Sequence, residues 1–165
     1  MRDVSEKDFK IKYDLYKDTI YRIAYTYVHN HQDSEDVLQE VFIKYLNSND
    51  LFESLDNEKY WLIRVTTNIC KNKVTSFWNK KIIINENVID VAQNKDETEK
   101  ARIYSILTNL PNKYKEPLVL YYYEDFKIEE IAKILKKTTS CIKKRLERGR
   151  QMIKKEIEVN EEIWW

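Results

Sequence analysis

Apolar positions recur every three to four residues along most of this chain, a period that predicts helices rather than strands. Over residues 9–28, Phe9, Tyr13, Tyr16, Ile20, Ile23, Ala24 and Val28 fall on one side. Asn30, His31, Gln32 and Asp33 form a polar break. Ser34 then stands as the N-cap of a second helix, with Glu35 and Asp36 in the first turn, where carboxylates complement the helix dipole. That helix, residues 34–47, has a broad apolar face of Val37, Leu38, Val41, Phe42, Tyr45 and Leu46. Its other face sets Ile43 among Asp36, Gln39, Glu40 and Asn47. An apolar residue ringed by hydrogen-bonding groups is how a binding hot spot is built. Singly exposed apolar residues are also ordinary, so periodicity leaves an interface and a plain surface both open.

A polar loop over 48–58 precedes a third predicted helix, 59 to about 78, with Trp61, Leu62, Val65 and Ile69 facing inward. Arg64, Asn68, Asn72 and Thr75 recur every four residues on another face. Asn pairs well with adenine and Arg with guanine, so such a ridge can read base edges. Tyr60, Trp61, Phe77 and Trp78 offer flat surfaces for stacking on unpaired bases. Trp61 begins an apolar stripe and is read as core; Phe77 and Trp78, beside Lys80 and Lys81, stay open between the two roles.

Residues 80–97 are mostly polar after a short Ile82-Ile83-Ile84 run and read as a linker. Helix resumes near Thr98 and ends before Pro111, and Pro117 must kink the next helix or lie near its first turn. Two helices then follow back to back. The first, about 128–135, places Ile128, Ile131, Ala132 and Leu135 on one face. A break at Lys136-Lys137-Thr138 leaves Thr138 or Thr139 to cap the second. Ile142, Leu146, Gly149, Ile153 and Ile157 make the apolar stripe of that helix. Ser140, Lys143, Lys144, Glu147, Arg148, Gln151, Lys154 and Lys155 stand opposite. This is a helix-turn-helix layout, whose second helix enters the major groove while the first crosses the backbone. Lys136 occupies a turn position where Gly is common, and a left-handed residue there costs about 1–2 kcal/mol.

Charge sharpens the picture. Residues 136–155 carry nine basic side chains against Glu147 alone, a net of +8, while the whole chain is +1. Positive charge gathered on one helix is the footprint of phosphate binding. The chain has 165 residues, one Gly and two Pro, which argues against an all-β fold; 35% of its residues are charged, and no apolar run approaches the ~20 residues a membrane span needs. Met1-Arg2-Asp3 leads into charged sequence, so no secretory signal is expected. Cys70 and Cys141 are far apart without a CxxC, and His29 and His31 are read as solvated loop residues, so no metal, cofactor or disulfide is expected. No glycine-rich nucleotide loop or catalytic triad is present either, and no enzymatic activity is expected. The expectation is a reduced, cytoplasmic, all-α protein of two small helical domains.

The order AYTYV, DSEDVLQEVFIKYL, YWLIRVTTNICKN, linker, ILTNLPNKYKEPLVL, IEEIAKIL and IKKRLERGRQMI resembles the extracytoplasmic-function group of bacterial RNA polymerase sigma factors. The pieces are weak singly; their order and spacing are specific, and they cover nearly the whole chain outside the linker and tail. The resemblance implies a core-polymerase-binding and minus-ten promoter domain at residues 1–79 and a linker at 80–97 that threads through the polymerase near emerging RNA. It also implies a helix-turn-helix minus-thirty-five domain at 98–160, with a tail at 161–165. By that resemblance Asp36, Gln39, Glu40 and Ile43 lie on the polymerase-docking surface, and Arg64, Asn68 and Asn72 meet the minus-ten element. Thr139, Ser140, Lys143, Lys144, Glu147 and Arg148 read the minus-thirty-five element. The chain departs from the family in three places: Thr75-Ser76 replace usual Arg residues, Lys136 a usual Gly, and Gly149 a common Ala.

The function so implied is a non-catalytic specificity subunit. Its partners would be core RNA polymerase, promoter DNA and an anti-sigma factor, with no membrane insertion of its own. Two other readings remain open on the residues alone. One is a stand-alone helix-turn-helix regulator that needs no polymerase. The other is a sigma-like scaffold working only through protein contacts.

Overall fold

The computed structural model describes residues 4–79 and 95–162, with side chains described for 4–73 and 102–159. Among the described residues there are seven helices and no strands: α1 (Glu6–Val28), α2 (His31–Asn47), α3 (Leu55–Asn79), α4 (Lys95–Thr108), α5 (Asn112–Tyr122), α6 (Ile128–Leu135) and α7 (Thr139–Glu162). They divide into two compact units, Met1–Ile83 and Ile84–Trp165. None of these helices is long and apolar enough to cross a membrane.

In the first unit α1, α2 and α3 pack around Ile20, Ile23, Val37, Val41, Leu62 and Ile63, all nearly inaccessible to solvent. Ser5 caps α1 by accepting the Asp8 N–H at 3.1 Å, so that helix begins before the expected residue 9. His29 ends α1 in the left-handed conformation, φ 60°. The second helix starts at His31, not at Ser34. Asn30 is its cap, accepting the Asp33 N–H at 2.8 Å. Ser34 lies a turn inside the helix, fully buried, its hydroxyl donating to the Asn30 carbonyl at 2.7 Å. His31 is thus a helical residue, exposed and bonded at 2.7 Å to the Tyr21 hydroxyl. Similarly α3 begins at Leu55 instead of residue 59. Ser54 accepts the Asn57 N–H at 3.1 Å, and the added turn carries Glu58 into the core.

An aromatic cluster closes one end of this unit. Tyr45 stacks on Phe52 at 6.4 Å, and Trp61 meets both edge-on at 6.3 and 5.7 Å. Trp61 is therefore a packing residue. Beside the cluster, Glu58 takes the Lys12 ammonium at 2.8 Å and the Tyr45 hydroxyl at 3.2 Å. A buried carboxylate needs such partners to offset its lost hydration.

In the second unit α4 to α7 pack around Leu107, Leu118, Leu120, Ile131, Ile134, Ile142 and Leu146. Helix α4 begins at Lys95, so residues 95–97 of the expected linker are helical, and residues 80–94 lie outside the described set. Pro117 stands inside α5, five residues after its start, and is buried with Leu118 and Val119. Residues 161 and 162 of the expected tail continue α7, while the side chains of Thr75, Phe77 and Trp78, and residues 163–165 with Trp164 and Trp165, lie outside the described residues.

Candidate nucleic-acid interface and docking face

Helix α6 matches its expected bounds, and Lys136 closes it with φ 55° and ψ 48°, the left-handed conformation that glycine usually supplies. Its N–H, and that of Lys137 at 3.0 Å, both donate to the Ala132 carbonyl. The strain raised by the sequence is therefore present. Of the two candidate threonines, Thr138 is the cap, its hydroxyl oxygen accepting the Cys141 N–H at 3.1 Å. This releases Thr139 to be the first helical residue of α7, exposed beside Ser140.

Burial along α7 separates two sides. Ile142, Leu146 and Gly149 are buried against the unit. Thr139, Ser140, Lys143, Lys144, Glu147 and Arg148 are all exposed, so the structure brings these six onto one accessible side. Gly149 permits the close packing: a β-carbon there would come 2.6 Å from Leu118 Cδ1. One basic residue is employed differently from its neighbours. Arg150 turns to α5, its Nε donating to the Tyr122 hydroxyl at 2.6 Å, with the guanidinium over the Tyr121 and Tyr122 rings.

In the first unit Asp36, Gln39 and Ile43 are exposed along α2, Ile43 by 56%, opposite buried Val37, Leu38 and Val41. Glu40 is half-exposed and lies 3.8 Å from the Lys73 ammonium of α3. A pair this accessible is weak and easily exchanged for another partner. On α3, Asn68 and Asn72 are exposed and Arg64 half-buried, one ridge of the helix, while Thr66, Thr67, Ile69 and Cys70 face the core. The Lys12–Glu58–Tyr45 contacts anchor the start of α3 to α1 and α2, and thereby hold this ridge. Burial, reinforced by the nearby Glu58 charge, pushes the Tyr16 hydroxyl up to about 12. Lys73 and the Tyr122–Arg150 pair escaped the sequence reading, because each is defined by a neighbouring helix. Among the described residues no group of three or more His, Cys, Asp or Glu converges as metal ligands would.

Two family models match the chain, Sigma-70 region 2 over residues 13–79 and Sigma-70 region 4 over residues 100–153. The chain is 29% identical over 160 residues to the ECF RNA polymerase sigma factor SigW of Bacillus subtilis, spanning 87% of this chain and 86% of that protein. It is 27% identical over 140 residues to the RNA polymerase sigma factor SigV of the same organism, spanning 84% of each. Among solved structures, the sigma factor RpoE of Bartonella quintana, in complex with the anti-sigma factor NepR, has a similar fold. The TM-score is 0.72 at 23% identity, over 93% of this chain and 98% of that one. CnrH, solved with the cytosolic domain of CnrY, gives 0.67 at 18% identity over 94% and 90%. Both sigma regions occur here in order, and ECF relatives align across most of their length; the chain belongs to the extracytoplasmic-function group of RNA polymerase sigma factors.

Proposed function

We propose that this chain binds core RNA polymerase in the cytoplasm, brings it to a two-part promoter and helps open the strands near the start site, without enzymatic activity of its own. An anti-sigma factor holds it in check, as the solved complexes of similar fold suggest. Asp36, Gln39, Glu40 and Ile43 dock on the polymerase clamp. Arg64, Asn68 and Asn72 meet the minus-ten element, and Thr139, Ser140, Lys143, Lys144, Glu147 and Arg148 the minus-thirty-five element. The observation that carries this reading is the occurrence of both sigma regions in one chain, each presenting an accessible face its own core does not use.

A stand-alone operator-binding regulator leaves the region 2 match over residues 13–79 without a purpose. A scaffold that has lost DNA binding leaves the exposed basic side of α7 without one. Run-off transcription with core polymerase on a library of duplex templates tests the proposal. Chain-dependent transcripts from a subset of templates are expected. Sequence-specific duplex binding with no transcript at any template would overturn it.

A further inference from the structure

Arg150 and Tyr122 form a contact that the roles above do not use. Arg150 Nε–H donates to Tyr122 Oη at 2.6 Å, and its guanidinium lies 5.8 Å from the Tyr121 ring centre and 5.6 Å from that of Tyr122. Both Arg150 and Tyr122 are exposed, Tyr122 by 53%. Among the described residues no carboxylate lies within ion-pair distance of Arg150.

Position on α7 indicates what the pair faces. At 3.6 residues per turn, Thr139, Lys143, Arg150 and Lys154 share one edge of the helix, with Arg150 about two turns beyond Lys143. The hydrogen-bond inventory completes the geometry. The Tyr122 oxygen accepts from Nε, which leaves its own O–H to donate outward, and both Nη groups of Arg150 keep their donors. The hydrogen bond to Tyr122 and the two neighbouring rings, 76° apart, hold the guanidinium in place, so less freedom is lost when it takes an anion.

We propose that Arg150 and Tyr122 form a cradle for one phosphodiester of the promoter backbone, at the edge of the minus-thirty-five recognition side. Its ligand class is the DNA phosphate, and it fixes register without reading sequence. This rests on the assignment of α7 as the promoter recognition helix. The competing role is a clip that fastens the end of α5 to α7 and touches no DNA.

The test is binding of the full chain to a duplex recovered from the transcription selection and to a scrambled duplex, each across a salt series, with melting temperatures recorded for every variant. Arg150→Gln should weaken both duplexes by the same factor, about tenfold, since a charge-assisted hydrogen bond is lost. The slope of log affinity against log salt should become shallower by about 0.9 for the one phosphate released. Tyr122→Phe should weaken both by roughly threefold with the slope unchanged, because a neutral donor is lost. Lys154→Ala serves as a reference for loss of a positive charge from the same edge. Unchanged slope for Arg150→Gln, with a lowered melting temperature or with none, overturns the cradle in favour of the clip or of no role. Absence of any salt-dependent binding by the unsubstituted chain overturns instead the reading of α7 on which the cradle rests.

Discussion

Lys136 donates its backbone N–H to the Ala132 carbonyl from the left-handed conformation, with φ at 55°. A side chain there costs about 1–2 kcal/mol, whereas Gly reaches the same geometry without strain but loses roughly 0.5–1 kcal/mol more chain entropy on folding. Lys136→Gly should therefore stabilise the second unit by about 0.5–1 kcal/mol. Chemical denaturation followed through that unit measures it, and a lower midpoint would show the strain to be relieved by other means.

The chain's single glycine lies instead inside α7. Gly149→Ala adds about 1 kcal/mol of helix propensity. It also drives a β-carbon to within 2.6 Å of Leu118 Cδ1, in a side chain only 1% exposed. Overpacking costs about 1–3 kcal/mol, so the substitution should destabilise by roughly 1 kcal/mol net. The loss should shrink in a Leu118→Val background, where the obstructing atom is absent; equal losses in both backgrounds would refute the steric cause.

Tyr16 supplies a pH dependence. Its folded value is pushed from 10.0 up to about 12 by burial, with Glu58 adding to it. The folded state then holds its proton where the unfolded chain releases it, so the contribution is complete below pH 10 and declines as pH rises towards about 12. The first unit's melting temperature should fall across that window, and Tyr16→Phe should flatten the fall. An identical alkaline profile for the two proteins would assign the loss to another group.

Docking is tested apart from folding. Ile43 is 56% exposed and Glu40 half-exposed, so neither is needed to close the core. Glu40→Ala combined with Ile43→Ala should abolish core-dependent transcription, since central contacts of this kind are worth about 2 kcal/mol or more each. The melting temperature should hardly move, as exposed substitutions change stability by about 0.5 kcal/mol or less. Full transcription from a folded double variant would place the polymerase surface elsewhere.

Recognition and mere attraction separate on α7. Lys154→Ala should weaken all duplexes alike. Lys143→Ala or Arg148→Ala should relax discrimination at one promoter position, by about 1–3 kcal/mol where the side chain pairs with a base. Binding competitions against single-base-pair variants distinguish these outcomes, and uniform losses for all three would remove base reading from this helix.

Much of the fold is written in local pattern. The bounds of α6 and the apolar faces of α1, α2 and α7 follow from spacing alone. Helix starts were less legible. Residues 31–33 and 55–58, polar except for Leu55, resemble loop sequence, yet Asn30 and Ser54 cap them into helix. Polar Ser34 and Glu58 can enter the core only because each finds its partners there. Composition cannot show that a buried polar group will be satisfied.

By itself the sequence determined the helical class and the exposed sides of α2 and α7, because periodicity and charge are properties of each helix alone, and the order of its motifs carried the resemblance to the two sigma regions. Only the tertiary structure decided which of these side chains are already occupied. Lys12 meets Glu58, Lys73 meets Glu40, and Arg150 leaves its basic neighbours for Tyr122, 28 residues away. Each pairing depends on how one helix is rotated and raised against another, and the mutual burial of whole faces sets that relation.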